Sequence, residues 1–167
     1  MSVRWVCWMP LLLAPVGAWA QASSPPPFTS VPSIEDRNLY YSFLVAQQNA
    51  FTANQAAKAS NPSASSQIDA KTATTLHITT QELPAVASLV QQASQSYAQI
   101  PALRQAFVAS PKYPTLTSAQ LDGIDDFRRL QVTAQTVFAL AKQLSPSSWT
   151  GLHNYVITTF KNSQPKP

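Results

Sequence analysis

The chain has 167 residues, with 11 lysines and arginines against 7 aspartates and glutamates, a formal net charge of +4, and one cysteine. The basic residues are scattered and form no block or stripe, which argues against a nucleic-acid partner. With Cys7 alone, a disulfide framework and a multi-thiolate metal site are excluded.

Residues 1–20 have the layout of a secretory signal. Arg4 supplies a positive charge, an apolar run follows from Trp5 to Trp19, and Ala18-Trp19-Ala20 is a small-x-small cleavage site before Gln21. Pro10 and Pro15 interrupt that run, which is shorter than the roughly twenty residues of a spanning helix. We read it as cleaved, with no stable membrane insertion afterwards and a periplasmic or secreted destination. Cys7 lies inside the run, not behind a small-residue motif at its end, so a lipid anchor is not expected. Met1, Cys7 and Met9 all belong to the leader, so the mature chain has no sulfur side chain and its core must carry stability unaided.

Residues 21–32 are rich in Ser and Pro and read as a tether. A single helical domain is expected over residues 33–162, with a polar tail at 163–167. Ser33 with Asp36 has the spacing of a capping box, and Glu35 and Asp36 put negative charge on the first turn of a first helix. Leu39, Phe43, Ala46, Ala50, Ala53 and Ala57 step by four and three along it, which predicts a buried seam flanked by Tyr40, Leu44 and Phe51. Asn61-Pro62 should end it near Ala59. A weaker, threonine-rich helix is predicted from about Gln67 to Leu76, capped by Ser66 and Asp69 and packing through Ile68 and Leu76.

Thr79 and Glu82 repeat the capping-box pattern and open a third helix, with Leu83, Val86, Val90, Ala93, Tyr97, Ile100 and Phe107 on one stripe that Arg104 interrupts. Pro84 falls in the first turn, whereas Pro101 should kink or split the helix. After a turn at Pro111 to Pro114, Thr117 and Gln120 cap a long helix to about Leu144. Its predicted stripe is Leu130, Ala134, Val137, Ala141 and Leu144, with Phe127 and Phe138 beside it. Ser145-Pro146 starts a last short helix facing inward through Trp149, Leu152, Val156 and Phe160. No stretch alternates cleanly, and beyond the leader the only glycines are Gly123 and Gly151. The fold class is therefore all-α, an antiparallel bundle of three long helices with two short helices.

Asp122, Asp125 and Asp126 form the one acidic cluster. They lie in the first turns of a helix, where carboxylates complement the dipole, and Arg128 and Arg129 follow at ion-pairing distance from Asp125. A hard-cation site needs about six oxygens, more than one helical turn delivers. His77 and His153 have no metal-pair spacing, and no serine sits in a nucleophile motif or phosphate loop. Tyr40-Tyr41 could stack on a ligand, but at least one ring belongs to the seam. Catalytic, metal and cofactor sites are not expected.

Leu116-Thr117-Ser118-Ala119-Gln120 matches the LTxxQ motif and resembles the Spy/CpxP group of periplasmic helical proteins. Ile78-Thr79-Thr80-Gln81-Glu82 is a degenerate second copy, departing at its first and last positions. Leu116, Thr117 and Gln120 are thus the candidate motif residues. The resemblance implies an ATP-independent, cofactor-free chaperone or stress adaptor, with Arg104, Arg128 and Arg129 on a client-holding surface. The run from Leu144-Ser-Pro-Ser-Ser-Trp149 through Tyr155-Val156 to Phe160 is similar to the C-terminal pattern of small exported all-helical proteins of soil bacteria, which implies a fold and a location. The function expected is a non-enzymatic binding or structural module with a protein partner, the alternative being the chaperone.

Overall fold

The computed structural model describes residues 33–110 and 116–161. The leader, the tether, the Pro111 to Pro114 turn and the polar tail lie outside the described residues. What is described is all-α: α1 (Ile34–Ser60), a single 3-10 turn (Pro62–Ala64), α2 (Ser65–Thr75), α3 (Leu83–Val108), α4 (Ser118–Gln143) and α5 (Pro146–Lys161).

The Ser33 hydroxyl accepts from the Asp36 amide at 3.0 Å and starts α1. The buried face then departs from the alanine seam. Leu39, Tyr40, Phe43, Leu44, Gln47 and Phe51 are buried, whereas Ala46, Ala50, Ala53 and Ala57 are exposed. Heptad spacing alone does not distinguish the two faces, and burying rings and leucines removes far more apolar surface from water than burying methyls. The residues expected at the flank, Tyr40, Leu44 and Phe51, are therefore at the centre.

For α2, Ser66 and Asp69 do not cap. The helix starts at Ser65, straight out of the 3-10 turn and without a side-chain cap, and Asp69 instead pairs with Lys58 of α1. Its end is a Schellman motif: the Ile78 amide reaches the Ala73 carbonyl at 3.0 Å and the His77 amide the Thr74 carbonyl at 3.1 Å. His77 occupies the left-handed position with φ 56°. Ile78 and Ala73, the positions whose apolar contact accompanies such a motif, are both buried.

Helix α3 runs unbroken through Pro101. In α4 the buried stripe is Thr133, Thr136, Val137, Leu140 and Ala141, continued by Leu144. Leu130 and Ala134 are only half-buried, and Phe127 is exposed. The two threonines were absent from the predicted stripe because they are polar by composition. Each hydroxyl bonds back to a carbonyl one turn earlier, Thr133 to Arg129 at 2.8 Å and Thr136 to Val132 at 2.9 Å, so both are satisfied inside the core.

The helices α1, α3 and α4 each pack against the other two. Tyr41 meets Tyr97, while Phe51 shares a cleft with Leu83 and Ala87, so α1 and α3 run in opposite senses. Arg104 reaches Asp122 and Tyr97 reaches Thr133, while Glu82 at the start of α3 meets Ser145 at the end of α4, so α3 and α4 are antiparallel too. Helix α5 closes the core on α1, where Trp149 lies parallel to Tyr40 and Phe160 meets Phe43 edge to face. A Cβ on Gly151 would fall 2.7 Å from the His77 Cβ, so the loop after α2 rests on α5 only because residue 151 is glycine.

Candidate functional site

Thr117 and Gln120 form a complete capping box at the start of α4. The Gln120 amide donates to the Thr117 hydroxyl at 3.3 Å, and the Thr117 amide donates to Gln120 Oε1 at 2.9 Å. Leu116 is half-buried beside them. Each polar group that distinguishes the motif is thus engaged in starting the helix. The degenerate copy makes the same reciprocal bonds, the Thr79 amide and hydroxyl donating to Glu82 at 2.9 and 2.8 Å and the Glu82 amide to Thr79 at 3.3 Å, but contrary to expectation they close a turn ahead of α3, which begins at Leu83 with Glu82 as its N-cap and no side-chain cap.

Behind Thr117 the α3–α4 end carries a network of ion pairs. Arg104 of α3 donates to Asp122 at 2.6 Å and to Asp125 at 2.8 Å. Asp125 is only 5% exposed, and its other oxygen lies 3.9 Å from Arg128, an ion pair without a hydrogen bond. Arg129 pairs with Asp126 at 2.6 Å, not with Asp125. The Arg128 guanidinium also sits over the Phe107 ring at 5.9 Å. Hydrogen bonds to Asp122 and Asp125 hold the Arg104 pKa above its usual value. The three arginines expected on a basic client-holding surface are thus each neutralised by a carboxylate. The bridge from Arg104 to α4 is not legible in sequence, where residue 104 interrupts a stripe and is otherwise expected only on the client-holding surface. Around this network Leu103, Val108 and Phe127 remain 48%, 63% and 66% exposed.

A second polar cluster ties the opposite end. Besides Thr79, the Glu82 carboxylate accepts from the Ser145 amide at 2.8 Å and the Ser148 hydroxyl at 2.6 Å. Burial alone would raise its pKa, but these hydrogen bonds outweigh it, and the carboxyl is lowered from 4.5 to about 2. Tyr40, fully buried, bonds through its hydroxyl to His153 Nδ1 at 2.9 Å. Burial, with a contribution from Asp36, pushes the phenol's pKa up. The Tyr97 hydroxyl meets Thr133 at 2.7 Å; since Thr133 donates to the Arg129 carbonyl, Tyr97 is the donor. Burial raises its pKa to about 12.

The two histidines stay apart in role. His153 is held among Tyr40 and Trp149, whereas exposed His77 ends α2 and faces Tyr155 at 6.2 Å. Among the described residues no group of three or more His, Cys, Asp or Glu is placed to hold a metal. No helix among them is long and apolar enough to cross a membrane.

The architecture defines the class, an all-helical protein with an antiparallel α1, α3, α4 core closed by α5. No family model, no curated protein and no solved structure matches the chain.

Proposed function

We propose that the chain is exported, loses its leader after Ala20, and works in the periplasm or outside the cell as a non-catalytic, cofactor-free module that binds another protein through the α3–α4 end. The observation that carries this reading is the exposure of Leu103, Val108 and Phe127 around ion pairs whose charges cancel. An apolar surface beside neutralised charge gains by burial without stranding an unpaired ion. A photoreactive side chain at position 127, in protein expressed with its leader in a Gram-negative host, should yield a discrete adduct in the periplasmic fraction. The same probe at Ala53, on the outer face of α1, should yield none. Equal labelling at both positions would refute the reading.

The Spy/CpxP-like chaperone is the second reading, favoured by one observation: the Leu116 to Gln120 motif opens the helix that carries exposed Phe127. It expects many adducts at position 127 and suppression of the aggregation of reduced lysozyme by the purified protein. A single adduct with no such protection speaks for the first reading.

A further inference from the structure

A cleft of about 220 Å³ lies between the C-terminal half of α1, α2 and the start of α3, away from the α3–α4 end. Its apolar wall is Phe51, Leu83, Pro84 and Ala87, the first two buried. On the polar side Asn54 donates to the Thr72 hydroxyl at 3.0 Å, and Lys58 pairs with Asp69. Thr72 in turn donates to the Ile68 carbonyl at 2.8 Å, so its proton is committed and the Asn54 amide is oriented from α2. Gln55 and Thr80 add a second amide and a hydroxyl to the lining.

These features define a ligand chemistry. A cavity of roughly 150 Å³ already holds benzene, so this cleft has room for one ring with a small substituent. Phe51, Leu83, Pro84 and Ala87 suit the ring. The Asn54 and Gln55 amides and the Thr80 hydroxyl both donate and accept, which suits a head group that does the same. A net charge on the head group is disfavoured, because Lys58 and Asp69 neutralise each other at the polar side and either sign meets one repulsive neighbour. We infer that the cleft is a binding site for a small uncharged molecule with an apolar ring and an amide or alcohol head.

Occupancy has a mechanical consequence. The Thr72, Thr74 and Thr75 hydroxyls of α2 all bond back to carbonyls four residues earlier, a habit that weakens helices, and the helix has one fully buried side chain, Ala73. A ligand touching α1, α2 and α3 together would hold α2 in place, so its amides report binding.

The test uses three probes with one ring and different heads: benzamide, benzoate and benzylammonium. In an NMR titration of the purified protein, benzamide should bind saturably with a Kd on the order of millimolar, as expected for so few atoms. Shifts should be confined to amides near Phe51 to Lys58, Asp69 to Thr72 and Thr80 to Ala87. Hydrogen exchange of α2 should slow, and both charged probes should bind about fivefold or more weakly. Ala87→Leu, which fills the slot, should abolish binding while circular dichroism stays unchanged. Lys58→Met leaves Asp69 unbalanced and should turn the preference toward benzylammonium. Unsaturated or dispersed shifts for all three probes, binding that survives Ala87→Leu in a folded protein, or an order of probes unmoved by Lys58→Met would each overturn the inference.

Discussion

Replacing Glu82 with Gln isolates the electrostatic tie at the start of α3. The carboxylate accepts four hydrogen bonds, two from Thr79 and one each from Ser145 and Ser148, and so fastens the start of α3 to the junction of α4 and α5. Lowering a carboxyl from 4.5 to about 2 corresponds to an upper limit of about 3 kcal/mol of stabilisation by linkage; discounted for solvent screening at this half-buried site, about 2 kcal/mol remains. The sign follows from the direction of the shift. A folded-state pKa below the unfolded one means the contribution is complete above about 4.5 and disappears as pH falls toward about 2. Gln keeps one acceptor oxygen but presents an NH2 group to at least one donor, and it does not titrate. Urea unfolding of wild type and Glu82→Gln across that range should therefore give curves about 2 kcal/mol apart at neutral pH that converge in acid. Taking the difference between the two proteins cancels every contribution they share. A gap that stays constant from neutral pH to the acid limit, or one under about 0.5 kcal/mol at neutral pH, would refute the assignment of this tie.

Thr117→Ala should cost about 1 kcal/mol in chemical denaturation, while Thr117→Ser, which can still cap, should be nearly neutral. Loss of a binding activity in a Thr117→Ser protein with an unchanged melting curve would instead assign the threonine a direct role in recognition. Val137 is fully buried between helices, so Val137→Ala should lower stability by about 1 to 3 kcal/mol, and an unchanged melting temperature would show that the α4 register is wrong. His77→Gly removes a left-handed penalty of roughly 1 kcal/mol and should raise the melting temperature, whereas a decrease would mean that the His77 ring against Tyr155 matters more than the backbone. Gly151→Ala should destabilise by about 1 to 3 kcal/mol, measured by urea unfolding, since the new methyl would meet the His77 carbonyl oxygen at 2.9 Å as well as its Cβ.

The legible parts of this fold are local and the illegible parts are relational. Ser33, Thr117 and Ser145 announce helix starts because a short polar side chain satisfies nearby amides within its own turn, and sequence contains everything needed to see that. Which face of α1 turns inward depends on what the other helices offer, and a stripe of alanines at heptad spacing carries too little apolar surface to decide it. The same limit hid the Arg104 bridge to Asp122 and Asp125, and the reach of Glu82 across the bundle to Ser145 and Ser148. Both join residues far apart in the chain, and a charge that bonds only within its own turn looks no different in sequence from one that also serves another helix. His77 carries no signal of its role in sequence, because it ends a helix at a position where glycine is the usual signal.

The contact between α1 and α5 sets an order of events. Tyr40 and His153, which bond to each other, are separated by 113 positions, and Tyr40 also faces Trp149 while Phe43 meets Tyr155 and Phe160. A chain is made, and a translocated chain emerges, from its N-terminus. Among the described helices, the first to appear is therefore the one whose aromatic face is covered by the last. Until α5 arrives, that face stays available to chaperones or to other emerging chains, and the loop linking the two helices' contacts is nearly as long as the domain itself. Completion of the core thus waits for α5, and a nascent chain released before Pro146 presents Tyr40 and Phe43 as an open ledge.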